Sequence, residues 1–202
     1  MELREALTQI SHIREQIDRT AIFRGYRSTA VGFSGLVAFV AAALQPLVVV
    51  KPAENIGGYL ALWIGVAGLS AGVSAAEMFL RTRHSDLERQ KTWTAIEHFL
   101  PSLAAGALLT AALACGSESS CWSLPGLWAI VFSLGVFASL RLLPRAVTVV
   151  AGWYLLGGTL YLLLGESHGW AYSPWSMAVL FGCGQLITAV ILYQTLERGH
   201  GK

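Results

Sequence analysis

Glu77 is the acid that lies well inside an apolar run, and an ionisable group in such a place is by default a candidate for binding or moving an ion. Arg81 follows at i+4, in the Glu-then-Arg order that pairs well along one helix face. Two chemistries are open to Glu77. It can close an ion pair at a helix end, where water is about a turn away, or it can line a path for a cation or proton. Arg141 sits at the equivalent depth on a later run and is an alternative partner.

His84, Asp86, Glu97 and His98, with Glu77, contain the atom types of a metal site. Their spacing is poor for one. No two histidines stand at i and i+4, and the adjacent Glu97 and His98 point about 100° apart on a helix. His98 therefore reads as an interfacial residue. An intramembrane enzyme would need Glu77, Glu97 or His98 as its base. The chain has no nucleophile elbow, no HExxH and no phosphate-cradling glycine loop. No catalytic residue, metal or cofactor is assigned. The ligand-pathway candidates are Glu77, Arg81, Glu97, His98 and Arg141.

Cys115 and Cys121 fall on the same side of the expected topology, near enough for a loop-closing disulfide in an oxidising compartment. Two free thiols are the alternative. Cys183 lies within a span and reads as a small buried hydrophobe. Gln45, Thr159, Gln185 and Thr188 are also polar groups within spans. They either line a pathway or hydrogen-bond between helices, and the second is the usual use.

The elements that must position these residues are membrane spans. The chain has 202 residues, 54% of them hydrophobic and only 13% charged, against about 25% charged in soluble domains. Apolar runs of about 20 residues mark spanning helices, because lipid offers the backbone no partner outside its own helix. A net charge of +2, with no aromatic-interleaved basic patch, gives no reason to expect nucleic acid.

Six runs fit. They are Thr29–Val50, Tyr59–Leu80, a third ending at Cys115, a fourth from Ser123 to Arg141, Ala146–Gly165, and Pro174–Leu196. The first is too long for a signal-peptide core and is expected to stay as a span. Ser123 and Ser173 read as helix caps, with Pro125 and Pro174 in the first turns. Thr94-x-x-Glu97 and Ser85-x-x-Glu88 each fit a capping box, which predicts a short surface helix before the third span. Pro101 should kink that span. Gly65, Gly68, Gly72 and Ala76 run along the second span and favour close helix packing.

Residues 1–28 read as an amphipathic interfacial segment. Leu3, Leu7, Ile10, Ile13 and Ile17 line one face of a helix over 2–21. That helix and the charged hinge 81–97 are the candidate surfaces for a protein partner or a second copy. Residues 197–202 form a tail.

Thirteen of the fourteen Lys and Arg residues fall on the side of the termini and the hinge, and only Lys51 lies opposite. Both termini are therefore expected in the cytoplasm. A bacterial inner membrane fits the compact chain. The opposite side is rich in interfacial aromatics. Trp63, Trp128 and Trp175 each stand near the outer start of a returning helix, a placement that a threefold helical-hairpin repeat would give, although the three units share too little identity to establish one.

The sequence thus predicts an all-α, polytopic six-helix bundle, preceded by an amphipathic helix. It is expected to be non-enzymatic and to act through partner contacts or self-association. A small transporter or channel near Glu77 and Arg141 is the alternative, and an intramembrane enzyme the third.

Overall fold

The computed structural model describes residues 28–82, 86–116, 118–140 and 143–197. The helix expected over 2–21 lies outside them, as does most of the tail. The described residues are helical throughout, joined by short turns. Six helices are long and apolar enough to cross a membrane, and the chain is a multi-pass membrane protein.

The helices are α1 (Ser28–Val48), α2 (Ile56–Thr82), α3 (Asp86–Gly116), α4 (Leu124–Ser139), α5 (Thr148–Leu164) and α6, which starts at Pro174 and runs on to Glu197. α1 lies against α2 and α6. α4 lies against α3 and α5, and α5 against α6. α2 and α3 touch only lightly.

Two apolar cores result. One joins Ala38, Ala41 and Ala42 of α1 to Tyr59, Leu60 and Trp63 of α2, with Leu124 and Met177. The other joins Ala129 and Val136 of α4 to Val150, Ala151, Tyr154 and Tyr161 of α5, with Leu180. Aromatic rings connect the helices in this second core. Phe132 stands edge-on to Phe99 at 5.1 Å and to Tyr154 at 4.8 Å.

Glycine lets the central helices approach. A Cβ on Gly126 would lie 2.8 Å from the Gly158 carbonyl oxygen, and one on Gly158 would lie 2.7 Å from that of Gly126. α4 and α5 therefore meet backbone to backbone, the close contact that small residues permit in lipid. The small residues of α2 are used differently. Nothing lies within 4 Å of a Cβ built at Gly65, Gly68 or Gly72.

Three local expectations change. α3 is one helix of 31 residues, unbroken through Thr94–Glu97 and Pro101. Thr94 sits inside it, its carbonyl 2.6 Å from His98 Nδ1, so the second capping box is not a helix start. At 1.5 Å per residue α3 is about 46 Å long, well beyond a hydrocarbon core of about 30 Å. Its first turns thus stand clear of the apolar span Ile96–Gly116.

Ser123 does not cap α4 with its side chain. It closes a 3-10 turn over Glu118–Ser123, and its Oγ donates to Ser120 O at 2.7 Å. Asn55 does cap with its side chain, its Oδ1 accepting from Gly58 N at 3.0 Å at the start of α2. Ser173 takes the extended conformation of a cap, again without a side-chain bond, and Pro174 opens α6.

Candidate functional site

The candidates named from sequence do not converge. Glu77 is half-buried near the hinge end of α2, and Thr29 Oγ1 at the start of α1 donates to its Oε1 at 3.5 Å. Glu97 and His98 are exposed on α3. The side chains of Arg81 and Arg141 lie outside the described residues. Among the described residues, no three His, Cys, Asp or Glu side chains gather as a metal site would need. No disulfide joins the three cysteines. Cys115 is exposed, Cys121 buried and Cys183 half-buried.

The polar groups that do meet lie toward the opposite end, where Gln45 is the centre. It is 2% exposed, on the last turn of α1. Pro46 and the bend after Val48 end the helix beside it, and α2 returns alongside. Trp63 Nε1 donates to Gln45 Oε1 at 2.9 Å, and Gln45 Nε2 donates to the Tyr172 carbonyl at 2.9 Å. One amide thus binds α1 to α2 and to the loop that leads into α6.

Tyr172 holds a left-handed backbone, with φ of 59°. A non-glycine residue there is strained by about 1–3 kcal/mol and persists only where its surroundings fix it. The Gln45 bond fixes its carbonyl. Its ring stands edge-on to Tyr59 at 5.3 Å. Tyr161 adds a bond from its hydroxyl to Trp170 O at 3.3 Å, which ties the same loop to α5.

Other spans repeat the device. Trp128 Nε1 donates to Thr110 Oγ1 at 2.8 Å, and Thr110 Oγ1 donates to Gly106 O at 2.7 Å. The Trp63–Gln45 and Trp128–Thr110 bonds both join residues 18 apart. The first two hairpins therefore use an indole in the same place. In the third, Trp175 is exposed, and Trp153 Nε1 makes the bond between helices instead, to Leu180 O at 3.0 Å.

Ser133 Oγ donates to Ala151 O at 2.9 Å, again between helices. Thr159 and Thr188 bond back to carbonyls of their own helices, Leu155 O and Gly184 O. The Ser133 bond joins two helices, whereas those of Thr159 and Thr188 only satisfy their hydroxyls within one helix.

Sequence reasoning treated Trp63 and Trp128 as interfacial anchors and missed their partners. The available signal was the demand of a buried indole for an acceptor, with Gln45 and Thr110 each 18 residues before a tryptophan. Comparison with known protein families, with curated proteins and with solved structures finds no match.

Proposed function

We propose that this multi-pass protein acts without catalysis, through lateral contacts in the membrane with a partner or a second copy of itself. One contrast carries the reading. Gln45, Trp63, Thr110, Trp128 and Ser133 are engaged in bonds between helices, while the outer surface of α2 keeps Gly65, Gly68 and Gly72 open, with nothing within 4 Å. A bundle closed in this way is suited to work on its surface. α3 supports the same reading, because it buries no residue fully between Ile96 and Gly116.

The membrane we propose is a bacterial inner membrane, with both termini and the hinge in the cytoplasm. The asymmetry of Lys and Arg supports that orientation. The residue 2–21 stripe and the hinge 81–97 add a cytoplasmic contact surface.

The test is association of the full chain in mild detergent. Gly68→Cys should form a crosslinked species in native membranes, to itself or to a co-purifying protein. Gly68→Leu should shift the mass of the purified particle towards the monomer. A wild-type particle that is monomeric at all concentrations, with no crosslink at position 68, overturns the reading.

Transport is the second reading, favoured by the half-burial of Glu77. It predicts that Glu77→Gln leaves the protein equally stable and abolishes uptake. The bond from Thr29 supports a structural role for Glu77 instead.

A further inference from the structure

α6 changes geometry along its length. It begins as an α-helix over Pro174–Met177, widens into a π turn over Ala178–Cys183, and is α again over Gly184–Leu192. It widens a second time over Tyr193–Glu197. π turns are rare insertions into α-helices and frequently mark functional positions. The first of these lies inside the bilayer span, at the crossing of α1, α5 and α6.

The hydrogen bonds show what holds the π turn. In an unbroken α-helix the Gly184 N–H would serve the Leu180 carbonyl. Here Gly184 N–H reaches Phe181 O, and the Leu180 carbonyl accepts from Trp153 Nε1 of α5 at 3.0 Å. α1 meets this stretch with glycine at two positions and with the Phe39 ring at a third. A Cβ on Gly35 would lie 3.0 Å from Gly182 O, and one on Gly32 would lie 3.5 Å from Ala189 Cβ. At those two positions no α1 side chain interlocks with α6.

We propose that the π turn of α6 is a register switch latched by Trp153. In the latched form the indole occupies the Leu180 carbonyl and the turn keeps its extra residue. In the released form the indole withdraws and Gly184 N–H recovers that carbonyl. The turn then closes to α geometry, and Gly184–Leu192 rotates by roughly 100°, the angle of one residue.

Both forms satisfy the Leu180 carbonyl, as a bilayer interior requires. They differ in the indole bond and in packing. Gly182 fits under the Phe39 ring and Gly184 under the Tyr154 ring with no room for a Cβ, which favours the latched form. Motion of α5 against α6 is the natural trigger, because Trp153 moves with α5.

Cys183 stands in the turn itself, half-buried, and serves as a native probe. The experiment is alkylation of the intact chain by N-ethylmaleimide in detergent, followed cysteine by cysteine by mass spectrometry. Trp153→Phe keeps the ring and removes the donor. Labelling of Cys183 should quicken by about five-fold, the weight of one net hydrogen bond. Labelling of the buried Cys121 should not change. Trp63→Phe removes an indole bond that does not involve Leu180 and should leave Cys183 at the wild-type rate.

An unchanged Cys183 rate in Trp153→Phe overturns the proposal. So does a rise that Cys121 shares, because it would mean that Trp153 holds the bundle as a whole. A rise in Trp63→Phe equal to that in Trp153→Phe overturns it as well.

Discussion

Gln45 concentrates at one residue what elsewhere takes several. Its amide donates to Tyr172 O and accepts from Trp63 Nε1 while almost wholly buried. Gln45→Leu keeps the bulk and strands an indole N–H and a strained carbonyl. In a membrane each inter-helix hydrogen bond is worth about 0.6 kcal/mol on average and up to about 1.7 kcal/mol, so the loss should be about 1–3 kcal/mol. Trp63→Phe breaks one of the two bonds and should cost less. The double variant should cost less than the sum, because both changes remove the same Trp63–Gln45 bond. Unfolding in detergent and denaturant measures all three, and strict additivity would show that the bond contributes nothing. At this scale the sequence was legible only in part. It identified Gln45 as a polar group in a span, whose usual use is a bond between helices. It could not supply the partner, because Tyr172 O is a backbone atom 127 residues away. Glu77 stood out for its charge, and its carboxylate accepts a long bond from Thr29 at the start of α1. Glu77→Gln should therefore cost about 1 kcal/mol or less, as a group at a helix end does.

At the scale of elements, glycine content alone does not distinguish a packed helix from an open one. α2 carries the more conspicuous GxxxG pair, Gly68 and Gly72, and it is α4 and α5 that pack glycine against glycine. The difference arises from what lies opposite, and a single span does not encode that. Two substitutions separate the cases. Gly126→Ala drives a methyl against the Gly158 backbone at 2.8 Å, which can only part α4 from α5. Overpacking of this kind costs about 1–3 kcal/mol. Gly68→Ala meets open space and should leave unfolding unchanged or slightly delayed, since alanine favours the helix. Equal destabilisation by both would mean that the α2 face is packed in the folded protein. Helix boundaries were legible where proline chemistry fixed them, as at Pro174, and not at Asn55, whose cap starts α2 at Ile56 rather than Tyr59. They were not legible at Thr94–Glu97, where a good cap sequence lies within a longer helix. Continuation through Thr94 keeps the intrahelical backbone bonds that a new start would give up.

The whole molecule was the most legible level, because a bilayer imposes one rule on every segment. Each apolar run long enough to span must be a helix with its backbone satisfied, and the six expected runs coincide with the six observed helices. Orientation is a separate matter, since an all-α bundle folds alike whichever way it faces. The argument for orientation is charge. The thirteen Lys and Arg residues on the side of the termini include Arg81, Arg83, Arg89 and Lys91 of the hinge and Arg141 and Arg145 of the next turn. Lys51 is alone opposite, and its ammonium is paired with Glu54 at 3.0 Å on an exposed turn. Short loops rich in Lys and Arg remain in the cytoplasm, so Lys202 and the hinge should lie there and the 117–123 loop outside. A reporter active only in the cytoplasm, fused after Lys202, should be on. The same reporter inserted within 117–123 should be off, and one active only outside should show the reverse. Because span number and charge asymmetry are linked, the pair of fusions tests both. An even number of spans puts the two termini on one side, and a missed helix would move every later loop across. A C-terminal fusion that reads outside would therefore overturn either the inward start of the chain or the passage of one of the six helices through the membrane. A second fusion after residue 28 tells which.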